Sequence, residues 1–194
     1  MAFISNGTTI LDAGAFSVGL GNQILLSTQT ASGASSIEFT SGIDSTYDIY
    51  KFIFHDVRTG DEFQMNLSTD SGSNYNVTKT TTAFRAYHTD NDASTSLEYM
   101  TTGDLAQSTS NQSLNFAGTN SVRRHGGEMY LFSPSSSTYV KHFTSRVTGN
   151  NSAAEYDNFI AGYGNTTSPI NAVRFNTNSG TISGTIKMYG IKGS

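Results

Sequence analysis

Apolar and polar residues alternate with a period of two along most of this chain. Successive side chains of a β-strand point to opposite faces, so each alternating run predicts a half-buried strand. The clearest runs are "NQILLSTQ", "SSIEFTSG", "YDIYKFIFHDV" and "DEFQMNLSTD". In the third, Tyr50, Phe52 and Phe54 share one face, while Ile49, Lys51, Ile53 and His55 share the other. Apolar residues on both faces predict a central strand covered on each side, or covered by a neighbouring subunit. In the fourth, Phe63, Met65 and Leu67 point inward and Gln64, Asn66 and Ser68 outward, a strand with one buried face.

Further runs follow at short intervals: "TTAFRAYHT", "TSLEYMTT", "QSLNFAG", "GEMYLFS", "TYVKHFTSRV", "EYDNFIAGYG" and "NAVRFNTNS". Clusters of Gly, Asn, Ser and Asp separate them, and none keeps a helical period. Regularly spaced short strands with turn signals between them predict an all-β fold. The expected form is an antiparallel β-sandwich, with a length that suits a jelly roll. The last strand, Thr181 to Ile191, is followed by three residues only, as a terminal module of an assembly would be. The opening "GTTILDAGAFSVGLGN" has a different texture, rich in small residues and weakly alternating. It is expected to form an extended N-terminal arm over residues 1–20, ahead of a sandwich domain over 21–194. Within the arm, Ile10, Leu11 and Phe16 are the candidate assembly contacts, and Ile53 is the candidate on the sandwich.

Composition narrows the picture. The 194 residues suffice for a sizeable core, yet only 36% are hydrophobic and 13% charged, with a net charge of -4. Aromatic residues are plentiful, with 10 Tyr and 12 Phe, so the chain is expected to fold rather than stay disordered. With no cysteine it has neither disulfides nor thiolate metal sites. The acidic balance argues against nucleic-acid binding, and "VRRHGG" is a short basic cluster read as exposed charges. The first residues hold no basic n-region and no long apolar run. Neither secretion by the standard route nor membrane insertion is therefore expected.

Candidate chemistry is sparse. No serine sits in a Gly-x-Ser-x-Gly elbow. His55, His88, His125 and His142 lack metal-ligand partners at a recognised spacing. Asp90 and Asp92 resemble the start of a calcium loop, without the Gly and Glu that such a loop requires. Glu38, Glu98 and Glu128 lie on predicted strands and read as solubilising charges rather than as a glycosidase pair. The protein is expected not to be an enzyme and to hold no cofactor. "STDSGSNY" resembles an Asp-box, in which Asp70 caps the turn amides, Gly72 takes the strained backbone position and Tyr75 packs over the hairpin. Tyr87, Tyr99 and Tyr139 are candidate glycan contacts, set beside turns or at strand ends.

Taken as a series, "STYDIYKFIF", "STDSGSNYNVTKTTTAFRAYHTD", "LFSPSSSTYVKHFTSR", "AGYGNTTSPINAVRF" and "SGTISGTIKMYGIK" resemble a family of small bacteriophage virion proteins common among marine phages. The opening "MAFISNGTTILDAGAF" resembles their start. The resemblance implies a non-enzymatic structural protein in the virion, as a fibre, knob or capsid-decorating subunit. It further implies a homo-oligomer, with a trimer favoured, that contacts other virion proteins. The alternative is a carbohydrate-binding module that recognises a host surface glycan.

Overall fold

The structure, a computed structural model, describes residues 3–5, 8–12, 15–16, 23–116 and 124–192. Its strands are β1 (Phe3–Ser5), β2 (Thr8–Asp12), β3 (Ala15–Phe16), β4 (Gln23–Ala34), β5 (Ser36–Phe39), β6 (Ile49–Thr59), β7 (Phe63–Ser68) and β8 (Lys79–Thr89). They continue as β9 (Thr95–Tyr99), β10 (Gln112–Ser113), β11 (Arg124–Phe132), β12 (Lys141–Asn150), β13 (Ala154–Gly164), β14 (Ala172–Thr177) and β15 (Ile182–Ile191). Among the described residues the helical content is one 3₁₀ turn, Thr101–Gly103.

The strands form an eight-stranded sheet in the order β4-β15-β6-β11-β12-β13-β8-β9 and a four-stranded sheet in the order β10-β7-β14-β5. Every pairing is antiparallel. The fold is thus the all-β sandwich that the alternation predicts. Its strands divide unequally between the sheets, and this order does not confirm a jelly-roll connectivity. The segment read as an arm carries β1, β2 and β3, which pair with one another in a separate small sheet.

The core lies between the two sheets. From the large sheet come Tyr50, Phe52, Phe54, Met129, Leu131, Phe143, Val147, Ile186 and Met188, all buried. The small sheet answers with Ile37, Phe39, Phe63, Met65, Leu67, Val173 and Phe175. Each such side chain contributes about 1.5–3 kcal/mol by leaving water. On β12 the alternation is unbroken: Lys141, Phe143, Ser145 and Val147 are buried, and His142, Thr144, Arg146 and Thr148 are exposed.

On β6 the alternation shifts by one at Asp56, whose φ is 48°, in a bulge that breaks the register with β11 and β15. Val57 and Thr59 therefore follow Phe54 on the inner face. The neighbouring strand allows for this with Gly184, at φ 117°, where a Cβ would lie 2.4 Å from the Asp56 carbonyl oxygen. Beside Val57, His125 is buried rather than exposed as its basic cluster suggested. Its Nε2 lies 2.9 Å from Thr59 Oγ1 and its ring stacks on Phe63.

Strand β7 departs from expectation as well, since all six of its residues are buried. Its polar face meets the segment before β10. Asn111 donates to Gln64, and Asn66 Nδ2 donates to the Thr109 carbonyl and to Asn111 Oδ1. Two lysines are also fully buried, Lys79 and Lys141. They flank Gly164 in the ladder, Lys79 on β8 and Lys141 on β12. A Cβ at Gly164 would lie 3.0 Å from Val77 Cγ1 and 3.4 Å from Ile170 Cδ1, so apolar side chains close the inner face between the two lysines. Lys79 Nζ donates to Asn66 Oδ1 (2.6 Å) and the Val77 carbonyl (2.8 Å). Lys141 Nζ donates to the carbonyls of Tyr139 and Thr166.

These ammonium groups rest on neutral acceptors, so desolvation dominates. It lowers the Lys79 pKa from 10.5 to about 8 and lowers that of Lys141 as well. Above about pH 8 the unfolded chain therefore holds more protons than the folded one, and stability rises with pH. Between about pH 7.5 and 9.5 the Lys79 contribution is about 2 kcal/mol. Urea unfolding across that range is expected to show the rise, and Lys79→Met is expected to lose most of it. An unchanged slope in the variant would assign the effect to another group.

Candidate functional site

The Asp-box-like turn follows β7 directly. Ser68 Oγ donates to Asp70 Oδ1 (2.7 Å) and accepts from the amides of Asp70 and Gly72. Asp70 accepts from the Asn74 amide and from the Asn74 side chain. These donors hold the exposed Asp70 carboxyl at about 2, below its usual 3.8. Gly72 has φ 89°, and a Cβ there would sit 2.8 Å from the Thr40 methyl group. Tyr75 packs back over the turn, where a Cβ at Gly72 would lie 2.9 Å from its hydroxyl, and reaches β5 and β14. Its hydroxyl donates to Glu38, and Arg174 lies 4.4 Å over its ring. Burial and the Glu38 charge raise its pKa. The turn therefore ties one end of the small sheet together.

The titratable candidates are held in local contacts. Glu38 accepts from Ser36 and Tyr75, Glu98 is paired with Arg85, and Glu128 with Lys51. His88 Nε2 lies 3.0 Å from Asp92, while the Asp90 amide donates to the Ala153 carbonyl. His142 stands against Tyr163. Among the described residues no three His, Cys, Asp or Glu side chains converge as a metal site.

The three tyrosines considered for glycan contact do not converge. Tyr99 is exposed on the outer face of β9, where its hydroxyl accepts from Thr82 and donates to Asp104. Tyr87 pairs with Ser96 across the same two strands and belongs to the other face. There it contacts Tyr156, with Arg85 over both rings. Tyr139 is 73% exposed in the loop between β11 and β12. The assembly candidates are similarly dispersed. Ile53 is half-buried on the outer face of β6, between Lys187 and Glu128. Ile10 and Leu11 fall on β2 and Phe16 on β3, and their side chains lie outside the described residues.

What the structure does bring together is the outer face of the large sheet. The ladder registers align its side chains in rows running across the strands. One row is Tyr130, Thr144, Ala161, Thr82. The row on one side is Glu128, Arg146, Phe159, Phe84 and then Tyr99. On the other side His142, Tyr163 and Thr80 are aligned. The middle row is small at three consecutive strands, and its neighbours carry rings. The result is a trench across β12, β13 and β8. It is filled by two adjoining depressions, of about 300 and 340 Å³, which share Thr82, Thr144 and Ala161 as their floor.

Ring and charge contacts stiffen the walls. Phe84 and Phe159 stack at 4.8 Å with planes 7° apart, and Arg146 lies 5.0 Å from the other ring centroid, that of Phe159. Arg146 is also bound to Asp157 at 2.7 Å. At the end of the floor, Lys51 lies 5.0 Å over Tyr130 while bound to Glu128 at 2.7 Å. Sequence reasoning missed Phe84, Tyr130 and Phe159. The signal for the β13 members was the shared face of Phe159, Ala161 and Tyr163 in "NFIAGYG", masked by the adjacent, inward-facing Ile160.

Replacing Asp70 with alanine is expected to lower Tm by about 2–4 °C at neutral pH. The gap from the parent should narrow as pH falls from about 4 to about 2, where the parent carboxyl takes up its proton. Thermal unfolding at several pH values measures both, and a gap independent of pH would contradict the role given to the carboxylate.

No family model, curated protein or solved structure matches the chain.

Proposed function

We propose that the protein is a non-enzymatic structural subunit of a phage particle, a fibre, knob or capsid-decorating component that assembles with copies of itself. The motif series set out above carries the virion part of this reading. The half of the outer face formed by β4, β15 and β6 supports the assembly part.

The supporting observation is an apolar patch that the registers draw together from distant parts of the chain. Leu25 on β4 sits opposite Tyr189 on β15. Ile191 sits opposite Ile49, and Lys187 opposite Ile53, on β6. Leu25 is 51% exposed, and the others are half-buried by their neighbours alone. The ionised partners beside them, Lys51 and Glu128, are already bound to each other. An apolar surface whose formal charges are the Lys51–Glu128 pair and Lys187 fits a second copy of the same chain. A trimer is the favoured closed form, on the resemblance to phage proteins.

Light scattering after size exclusion tests the assembly. The chain is expected to run as a trimer. With Leu25→Asp and Ile49→Asp combined, self-association is expected to weaken by about 100-fold or more, because each new carboxylate would be buried opposite an uncharged residue, Tyr189 or Ile191. Retention of Tm in the variant separates lost assembly from lost folding. A parent chain that stays monomeric at every concentration would overturn the proposal.

A further inference from the structure

We infer that the trench across β12, β13 and β8 is a binding site for an uncharged oligosaccharide. The site lies on different strands from the assembly patch and does not rest on the assembly reading. Its floor and walls are built from side chains whose positions are fixed by the ladder, not by a loop.

Shape is the first argument. The floor of Thr144, Ala161 and Thr82 spans neighbouring strands, and Tyr130 on β11 closes one end. At ~4.8 Å between strands, the trench is on the order of 15 Å long. Such a length admits an extended chain of sugar rings more readily than one compact ligand. Its combined space lies within the usual range for small-ligand sites.

Charge is the second. The formal charges at the rim are Glu128 and Arg146, and both are already held in ion pairs, with Lys51 and Asp157. An ionic ligand would have to break one of these pairs, whereas a neutral one leaves both intact.

Hydrogen-bonding capacity is the third, and it favours a polyhydroxylated ligand over an apolar peptide. At the β8 end, Gln107 Nε2 donates to Thr80 Oγ1 and to the Tyr163 hydroxyl. Each of those hydroxyls accepts from Gln107 and keeps its own proton to donate. Thr82 donates to Tyr99, which in turn donates to Asp104, and Thr82 keeps its acceptor lone pairs. A row of hydroxyls anchored on one side, with donor and acceptor capacity left on the other, matches sugar hydroxyls that are themselves both. The phenyl groups of Phe84 and Phe159 supply apolar surface for the C–H faces of the sugar. Of Tyr87, Tyr99 and Tyr139, Tyr99 alone stands at this mouth.

The test is titration of the full-length chain with neutral gluco-, galacto- and manno-oligosaccharides, read by saturation-transfer NMR. Alginate oligomers serve as the charged comparison. At least one neutral series is expected to bind with a Kd of about 1 mM or tighter. Ala161→Trp, which fills the floor, is expected to weaken that binding by about tenfold or more, while Leu97→Ala outside the trench leaves it unchanged. Solution mass and Tm of Ala161→Trp should match the parent, so loss of sugar binding is separable from loss of assembly or fold. Absence of binding by every neutral series at about 10 mM would overturn the inference. Binding of alginate alone, or parental affinity in Ala161→Trp, would overturn it as well.

Discussion

Phe175 holds the sandwich together. At the centre of β14, it touches Phe39 at 6.3 Å, Phe52 at 5.4 Å, Phe54 at 5.2 Å and Phe63 at 5.9 Å between ring centroids. Two of these rings belong to the small sheet and two to β6 in the large one. The contact is therefore the point at which the sheets are keyed to each other. Aromatic pairs of this kind add about 0.5–1.5 kcal/mol each beyond the area they bury. Because β14 lies between β5 and β7, the same ring also sets how the small sheet sits over β6.

Everything on the outside follows from that keying. Four strands cannot cover two faces of eight, so the large sheet closes one face on the core and leaves the other open. At the margin of the core, Lys79 and Lys141 stand on either side of Gly164 in the ladder and direct their ammonium groups to carbonyl and amide oxygens. The arrangement satisfies the hydrogen bonds without a counter-charge, and the strain appears as a lowered affinity for protons. On the open face, ion pairs and aromatic rings lie in rows fixed by strand register. The β4, β15 and β6 half is the part we assign to assembly, and the β12, β13 and β8 half the part we assign to a sugar.

Much of this frame was legible in the sequence where a strand's character depends on its own alternation. Tyr50, Phe52 and Phe54 could be placed inward, and the β12 pattern around His142 and Thr144 could be read directly. The Ser68 to Tyr75 turn was equally local, since Ser68, Asp70 and Asn74 find their partners within a few residues. What was hidden depends on pairings between distant segments. Asn66 appears solvent-facing until the segment carrying Thr109 and Asn111 crosses it. Lys79 is held by Asn66 and the Val77 carbonyl, and the Asn66 contact depends on β7 reaching it from outside its own strand. The trench is the extreme case, because Tyr130, Thr144, Ala161 and Thr82 come from four strands and become a row only once the register is known. A one-residue slip in any of them would remove it.

The division of labour on the open face is the central claim, and radical footprinting of the assembled protein addresses it most directly. Leu25 and Tyr189 should be labelled slowly in the assembly and faster when copies are separated by dilution. Phe84 and Tyr163 should be labelled at the same rate in both states and slow only when an oligosaccharide is added. Equal labelling of Leu25 and Tyr189 in both states, or protection of Phe84 by assembly alone, would contradict the account.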